Sequence, residues 1–181
     1  MDWCCLVVFL VLLLAFRHWV AEPFRVKGSS MASTLHSGDM LWTTKYDYRR
    51  SVPARHNVVI CYYPGRYVFG KKKGLRQCFV KRVIGLPGET VEIRDGVVYI
   101  NDLPLDEPYL DAARNRRPHQ MRPVTLGPEE VFVLGDNRDN SNDSRRVGPL
   151  PLSMIRARVR RILWPWRHRG TVAACQSAGQ R

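Results

Sequence analysis

The sequence predicts a mostly β, antiparallel fold with an N-terminal transmembrane helix. Three observations carry that expectation. Trp3 to Phe16 is apolar and uncharged. After Pro23 the helical period gives way to short β-branched and aromatic runs punctuated by Pro-Gly and Gly-Pro pairs. Asp95-Gly96 separates two such runs by two residues, the strongest short-range hairpin signal a sequence offers.

The apolar stretch comes first. Counted from Trp3 to Val20, a helix rises about 27 Å, close to the hydrocarbon core of about 30 Å. Trp3 and Trp19 suit the two interfaces, and Arg17 can snorkel. Residues 1–22 therefore read as a membrane anchor. A cleaved secretory signal is the alternative, but the stretch lacks a basic leading region and a clear small-residue cleavage site. Arg17, Arg25 and Lys27 follow the stretch and only the terminal amine precedes it. On the positive-inside rule alone, that places the body in the cytoplasm.

Residues 23–169 read as a β domain. Strand-like runs cover 57–63, 77–84, 90–94, 97–100, 130–134 and 155–164, with breaks at Pro64-Gly65, Pro87-Gly88 and Gly127-Pro128. Gly70 to Gly74 reads as a solvated basic loop, and 106–122, with several charges and two prolines, as a surface excursion. Residues 170–181 are polar and expected to fray. The connections are short, and no internal repeat is present.

The chain has 181 residues and a formal net charge of +13. Such a balance favours anionic partners. With an anchor present, anionic lipid is expected rather than nucleic acid, and no zinc-finger spacing or aromatic RNA-binding signature appears. Cys4, Cys5, Cys61, Cys78 and Cys175 match no disulfide framework or metal site. Cys61 and Cys78 lie in strand-like runs and read as buried free thiols. His18, His36, His56, His119 and His168 form no pair at i, i+4, so neither metal nor cofactor is expected.

Three segments carry chemistry. Ser30 sits in Gly28-Ser29-Ser30-Met31, where a hydroxyl needs a nearby base to act as a nucleophile. Lys81 sits in Phe79-Val80-Lys81-Arg82-Val83-Ile84. On a strand it shares a face with Phe79 and Val83, and apolar neighbours favour a neutral amine. The third segment runs from Gly135 to Arg145 and packs Asp136, Asp139 and Asp143 against Arg138 and Arg145, with Ser141 and Ser144 between. It suits side-chain-to-backbone bonds and internal ion pairs, and it lacks the terminal Glu of a calcium loop.

These segments together resemble a known family. Ser30-Met31-Ala32-Ser33-Thr34-Leu35, Gly38-Asp39-Met40-Leu41, Lys81 to Glu89 and Gly135 to Arg145 resemble, in order, the four boxes of the type I signal peptidases, compact bacterial type. The resemblance implies the antiparallel β fold of those membrane-anchored Ser–Lys endopeptidases, shared with self-cleaving repressors. It implies Ser30 as nucleophile, with its backbone N–H in the oxyanion hole, and Lys81 as general base. Ser141 is then the residue that orients the amine, Asp143 and Arg145 a supporting pair, and Asp136 structural. Removal of signal peptides from exported preproteins is implied, with small residues at −1 and −3. So are a catalytic domain on the outer face of the cell membrane and a monomer with no cofactor. One position departs from the pattern: the proline of the serine box is Ser33. With the positive charge that follows the apolar stretch, it keeps open an impaired, membrane-tethered protein that only binds signal-peptide-like segments.

Overall fold

A computed structural model describes residues 3–9, 21–45, 51–63 and 78–172. Most of the expected anchor, the basic loop at 70–74 and the tail from 173 lie outside the described residues. Of the anchor, 3–9 is helical with Trp3, Val8 and Phe9 exposed. Among the described residues no helix is long and apolar enough to cross a membrane.

The body is antiparallel throughout its described strand pairs. The larger sheet holds β1 (Ala21–Arg25), β2 (Met40–Thr44), β3 (Val58–Tyr62), β4 (Cys78–Gly85), β9 (Glu130–Leu134), β10 (Leu150–Pro151), β11 (Ile155–Trp164) and β12 (Gly170–Thr171). Their order is β1-β2-β11-β3-β4-β9-β10, with β12 on β11. A smaller sheet, in the order β7-β6-β5-β8, holds β5 (Thr90–Arg94), β6 (Val97–Ile100), β7 (Leu103–Pro104) and β8 (Met121–Thr125).

The central strands are buried on both faces, which is why they read as continuous apolar runs rather than as alternation. Val58 and Ile60 of β3 join Met31, Leu35, Leu41 and Val80 in one cluster. Val59 and Cys61 join Val83, Val133 and Ile155 in a second cluster. A third, around Ile84, Val91, Val98 and Phe132, joins the far ends of β4 and β9 to the small sheet. Gly85 lies at that junction: a Cβ there would stand 2.5 Å from a Val91 methyl and 2.7 Å from one of Leu126. The expected hairpin joins β5 to β6, pairing Arg94 with Val97, and Asp95 and Gly96 both take positive φ, as a type I′ turn requires.

Three differences from the sequence reading have physical causes. β1 begins at Ala21 and pairs with Thr44, so folded structure starts inside the span read as anchor. The excursion at 106–122 contains buried groups. The Glu107 side chain is 6% exposed and pairs with Arg138, and Tyr109 packs on the third cluster. Met121–Thr125 is the strand β8. At the other end, Gly170 and Thr171 pair with β11 and the Val172 N–H donates to Arg160 O, which holds the chain through 172.

Candidate active site

The serine box forms a tight turn. Thr34 N and Leu35 N both donate to Met31 O, at 2.8 and 2.7 Å, and Met31 and Leu35 are buried plugs beneath it. Gly28 leads into the turn with φ of 97°. The turn needs no proline to close, and the Ser33 hydroxyl donates to Asp136 O at 3.4 Å.

The segment 135–145 clamps this turn from one side. Asn137 N–H donates to Ser30 O at 3.0 Å, its Nδ2 to Ser29 O at 3.1 Å, and Asn140 Nδ2 to Ser29 Oγ at 2.9 Å. Approach is so close that only glycine fits at 135. A Cβ there would stand 2.2 Å from Ser141 Oγ and 2.5 Å from Ser30 O.

Lys81 comes from the middle of β4, opposite Val59 on β3. Its amine donates to Ser30 Oγ at 2.6 Å, and the residue is 1% exposed. Among the described residues no carboxylate lies within ion-pair distance of it. Burial is the largest influence on its titration and lowers it; the more distant Asp143 pulls the other way without prevailing. Cys61 adds no charge, because burial pushes its thiol up to about 12. Phe79 flanks the amine, 5.9 Å from ring centroid to Nζ, and Tyr63 stacks on Phe79.

Asp143 is wholly buried and accepts from Arg145 Nε at 2.8 Å, Arg145 Nη2 at 2.9 Å and Gly135 N at 3.1 Å. Burial alone would raise its carboxyl; the Arg145 bonds and charge outweigh that and hold it below the ordinary range. Ser141 is close by, but its buried Oγ faces Asp143 without reaching hydrogen-bond geometry. The expected bond from Ser141 to the lysine amine is not made. Asp136 meets Arg82 rather than Arg145, at 2.9 and 2.6 Å in a two-pronged pair.

Several supporting residues escape sequence reasoning. Arg82 also donates to His56 O and Thr34 Oγ1, and the Tyr109 ring covers its guanidinium at 3.8 Å. Arg138 is buried against Glu107. A buried arginine has no local signal; only the fourth box, dense with acids, hints that cations must come to meet it. His36, Asp39 and His168 also converge, from opposite ends of the body. The dyad faces a cleft of about 600 Å³ lined by Phe24, Val26, Ser30, Phe79, Lys81 and Asn142.

A serine hydroxyl thus meets a buried amine that has no counter-ion among the described residues. The family model described as "Signal peptidase, peptidase S26" matches residues 1–164. The chain belongs to the signal peptidase S26 family. It is 41% identical over 151 residues to a "Probable signal peptidase I-1" of Synechocystis sp. (strain ATCC 27184 / PCC 6803 / Kazusa), covering 83% of this chain and 74% of that one. It is 37% identical over 155 residues to a "Signal peptidase I" of Leptolyngbya laminosa, covering 86% and 74%. It is 39% identical over 155 residues to the "Signal peptidase I T" of Bacillus subtilis (strain 168), covering 80% and 75%. As a signal peptidase of this type, the protein is a serine endopeptidase that acts on signal peptides.

Proposed function

We propose that Ser30 and Lys81 carry out the cleavage of signal peptides from exported preproteins. The observation that carries the reading is the 2.6 Å contact between Lys81 Nζ and Ser30 Oγ, deep in a site where burial favours the neutral amine. Neutral Lys81 takes the hydroxyl proton as Oγ attacks the scissile carbonyl. The protonated amine then gives that proton to the leaving nitrogen, and the mature protein departs. Water, deprotonated by the same lysine, hydrolyses the ester and frees the signal peptide. The Ser30 N–H takes part in stabilising the oxyanion.

Ser141, Asp143, Arg145 and Asp136 have supporting roles here. Asp143 and Arg145 brace the loop behind the dyad, Asp136 anchors the nucleophile turn through Thr34 and Arg82, and Ser141, whose buried hydroxyl has no hydrogen-bond partner, is the residue that orients the amine on this reading. The substrate lies extended in the cleft, adding to the neighbouring strands, with small residues at −1 and −3. The impaired-binder alternative rested on Ser33 and on the flanking positive charge; the turn closes without proline at Ser33, and folded domains translocate despite flanking charge.

A single-pass anchor over residues 1–22 and a catalytic domain on the outer face of the cell membrane belong to the same reading. So do a monomeric state and contact with anionic lipid. The surface supports the last of these: Leu163, Trp164 and Trp166 are exposed beside Arg161 and Arg167. The test is cleavage of a preprotein bearing an Ala-x-Ala site by the purified full chain in detergent, with the product N-terminus mapped by mass spectrometry. One cut after the site is expected, lost in Ser30→Ala and in Lys81→Ala. Undiminished cleavage by either variant would refute the assignment.

A further inference from the structure

Away from the cleft, three donor side chains meet that the reaction does not use. Asp39, buried on the turn before β2, accepts the His36 backbone N–H at Oδ2, at 2.8 Å. Its Oδ1 faces Nδ1 of His168 at 3.3 Å, across 129 residues of chain. His168 lies on the short turn Trp166–His168 that follows β11. The rings of His36 and His168 stack, with centroids 4.7 Å apart and planes inclined by 30°. One ligating atom from each of the three lies within 4.8 Å of the others.

We propose that His36, Asp39 and His168 form a binding site for a divalent transition-metal ion, with Zn2+ the best match. Two imidazole nitrogens and one carboxylate oxygen are a borderline donor set of the kind zinc takes. With bonds of about 2.0–2.1 Å, tetrahedral ligand atoms stand roughly 3.3–3.4 Å apart. His168 Nδ1 and Asp39 Oδ1 already have that spacing. His36 is exposed and closes the remaining gap by side-chain rotation. The His36 N–H fixes the second carboxylate oxygen, an outer-shell bond of the kind that orients metal-ligating carboxylates.

A simple His–Asp ion pair leaves the second ring unexplained. A shared cation uses both rings in their neutral form. Arg167 and Arg169 flank His168, but Arg169 stacks on the Trp166 ring at 4.8 Å and Asp39 brings a buried negative charge. Three protein ligands leave a fourth position for water. An ion there would tie the turn after β11 to the chain six residues beyond Ser30.

The test uses the full chain in detergent, stripped with a chelator and titrated with Zn2+ alone by calorimetry. His36→Gln/His168→Gln is run beside it. Wild type is expected to bind one more equivalent than the double variant, and His168→Gln alone to weaken that equivalent by at least about tenfold. Co2+ is expected to give visible d–d bands without sulfur-to-metal charge transfer in wild type, lost in the double variant. Its retained preprotein cleavage shows that the double variant is folded. Equal stoichiometry and affinity in the two proteins, or no saturable binding at millimolar Zn2+, would overturn the site.

Discussion

Lys81 and Arg82 are adjacent on β4, each 1% exposed, and face opposite sides of the sheet. Arg82 is met by both oxygens of Asp136, by His56 O, by Thr34 Oγ1 and by the Tyr109 ring. Lys81 is met by the Ser30 hydroxyl and apolar walls. A buried cation with a full set of partners remains charged and holds the fold together. One denied a carboxylate is pushed toward its neutral form and becomes available as a base. On the proposed reading, one strand supplies a structural cation and a catalytic amine, and the difference lies in what the opposite faces provide.

The sharpest way to break the contrast is to make Lys81 like its neighbour. Lys81→Arg keeps a charge that does not leave, and cleavage is expected to fall by about 10²–10⁴-fold, measured as kcat/KM on a preprotein. Next in size is stripping Arg82 of its partner. Asp136→Asn leaves a buried charge unpaired and is expected to cost about 3–5 kcal/mol in denaturant unfolding. Replacing the pair with Arg82→Met and Asp136→Leu is expected to recover most of that loss, because no orphaned charge remains.

Gly135→Ala probes the clamp between the two faces. Its Cβ overlaps Ser141 Oγ and Ser30 O, so the nucleophile turn must shift. A shift of about 1 Å is expected to lower kcat/KM by roughly 10²-fold. The smallest effect has the opposite sign. The folded-state pKa of Lys81 lies below its unfolded value, so between the two values the unfolded chain binds the extra proton. The lysine therefore penalises folding at neutral pH, and the penalty fades as pH rises through the folded value toward the unfolded one. Lys81→Met is expected to raise Tm at neutral pH by about 2–4 °C for each kcal/mol of penalty removed, while abolishing cleavage.

The sequence revealed what local pattern controls. β-branched runs placed β3, β4, β9 and β11 within a residue or two, and Asp95-Gly96 set the register of β5 and β6. The alternation of β4 put Lys81 with Phe79 and Val83, as the clusters have it. What it hid depends on distant partners. Asp136 and Arg82 are 54 residues apart, and Arg138 finds Glu107 in a stretch whose charges read as solvent-facing. The short strands β1, β2 and β8 carry proline, threonine and arginine and owe their conformation to pairing. His36 and His168 look like scattered surface residues until the end of β11 folds back beside Asp39.

The central claim is that Lys81, unlike Arg82, gives up its proton in the folded enzyme. The direct measurement is an NMR titration of the Lys81 side chain in ¹³C/¹⁵N-labelled protein in detergent, with Lys81→Arg used to assign its ε-methylene signal. The account predicts a transition displaced downward from the ordinary lysine range and matched by the rising limb of the kcat/KM–pH profile. A signal that stays that of a charged amine until the ordinary lysine range would contradict it.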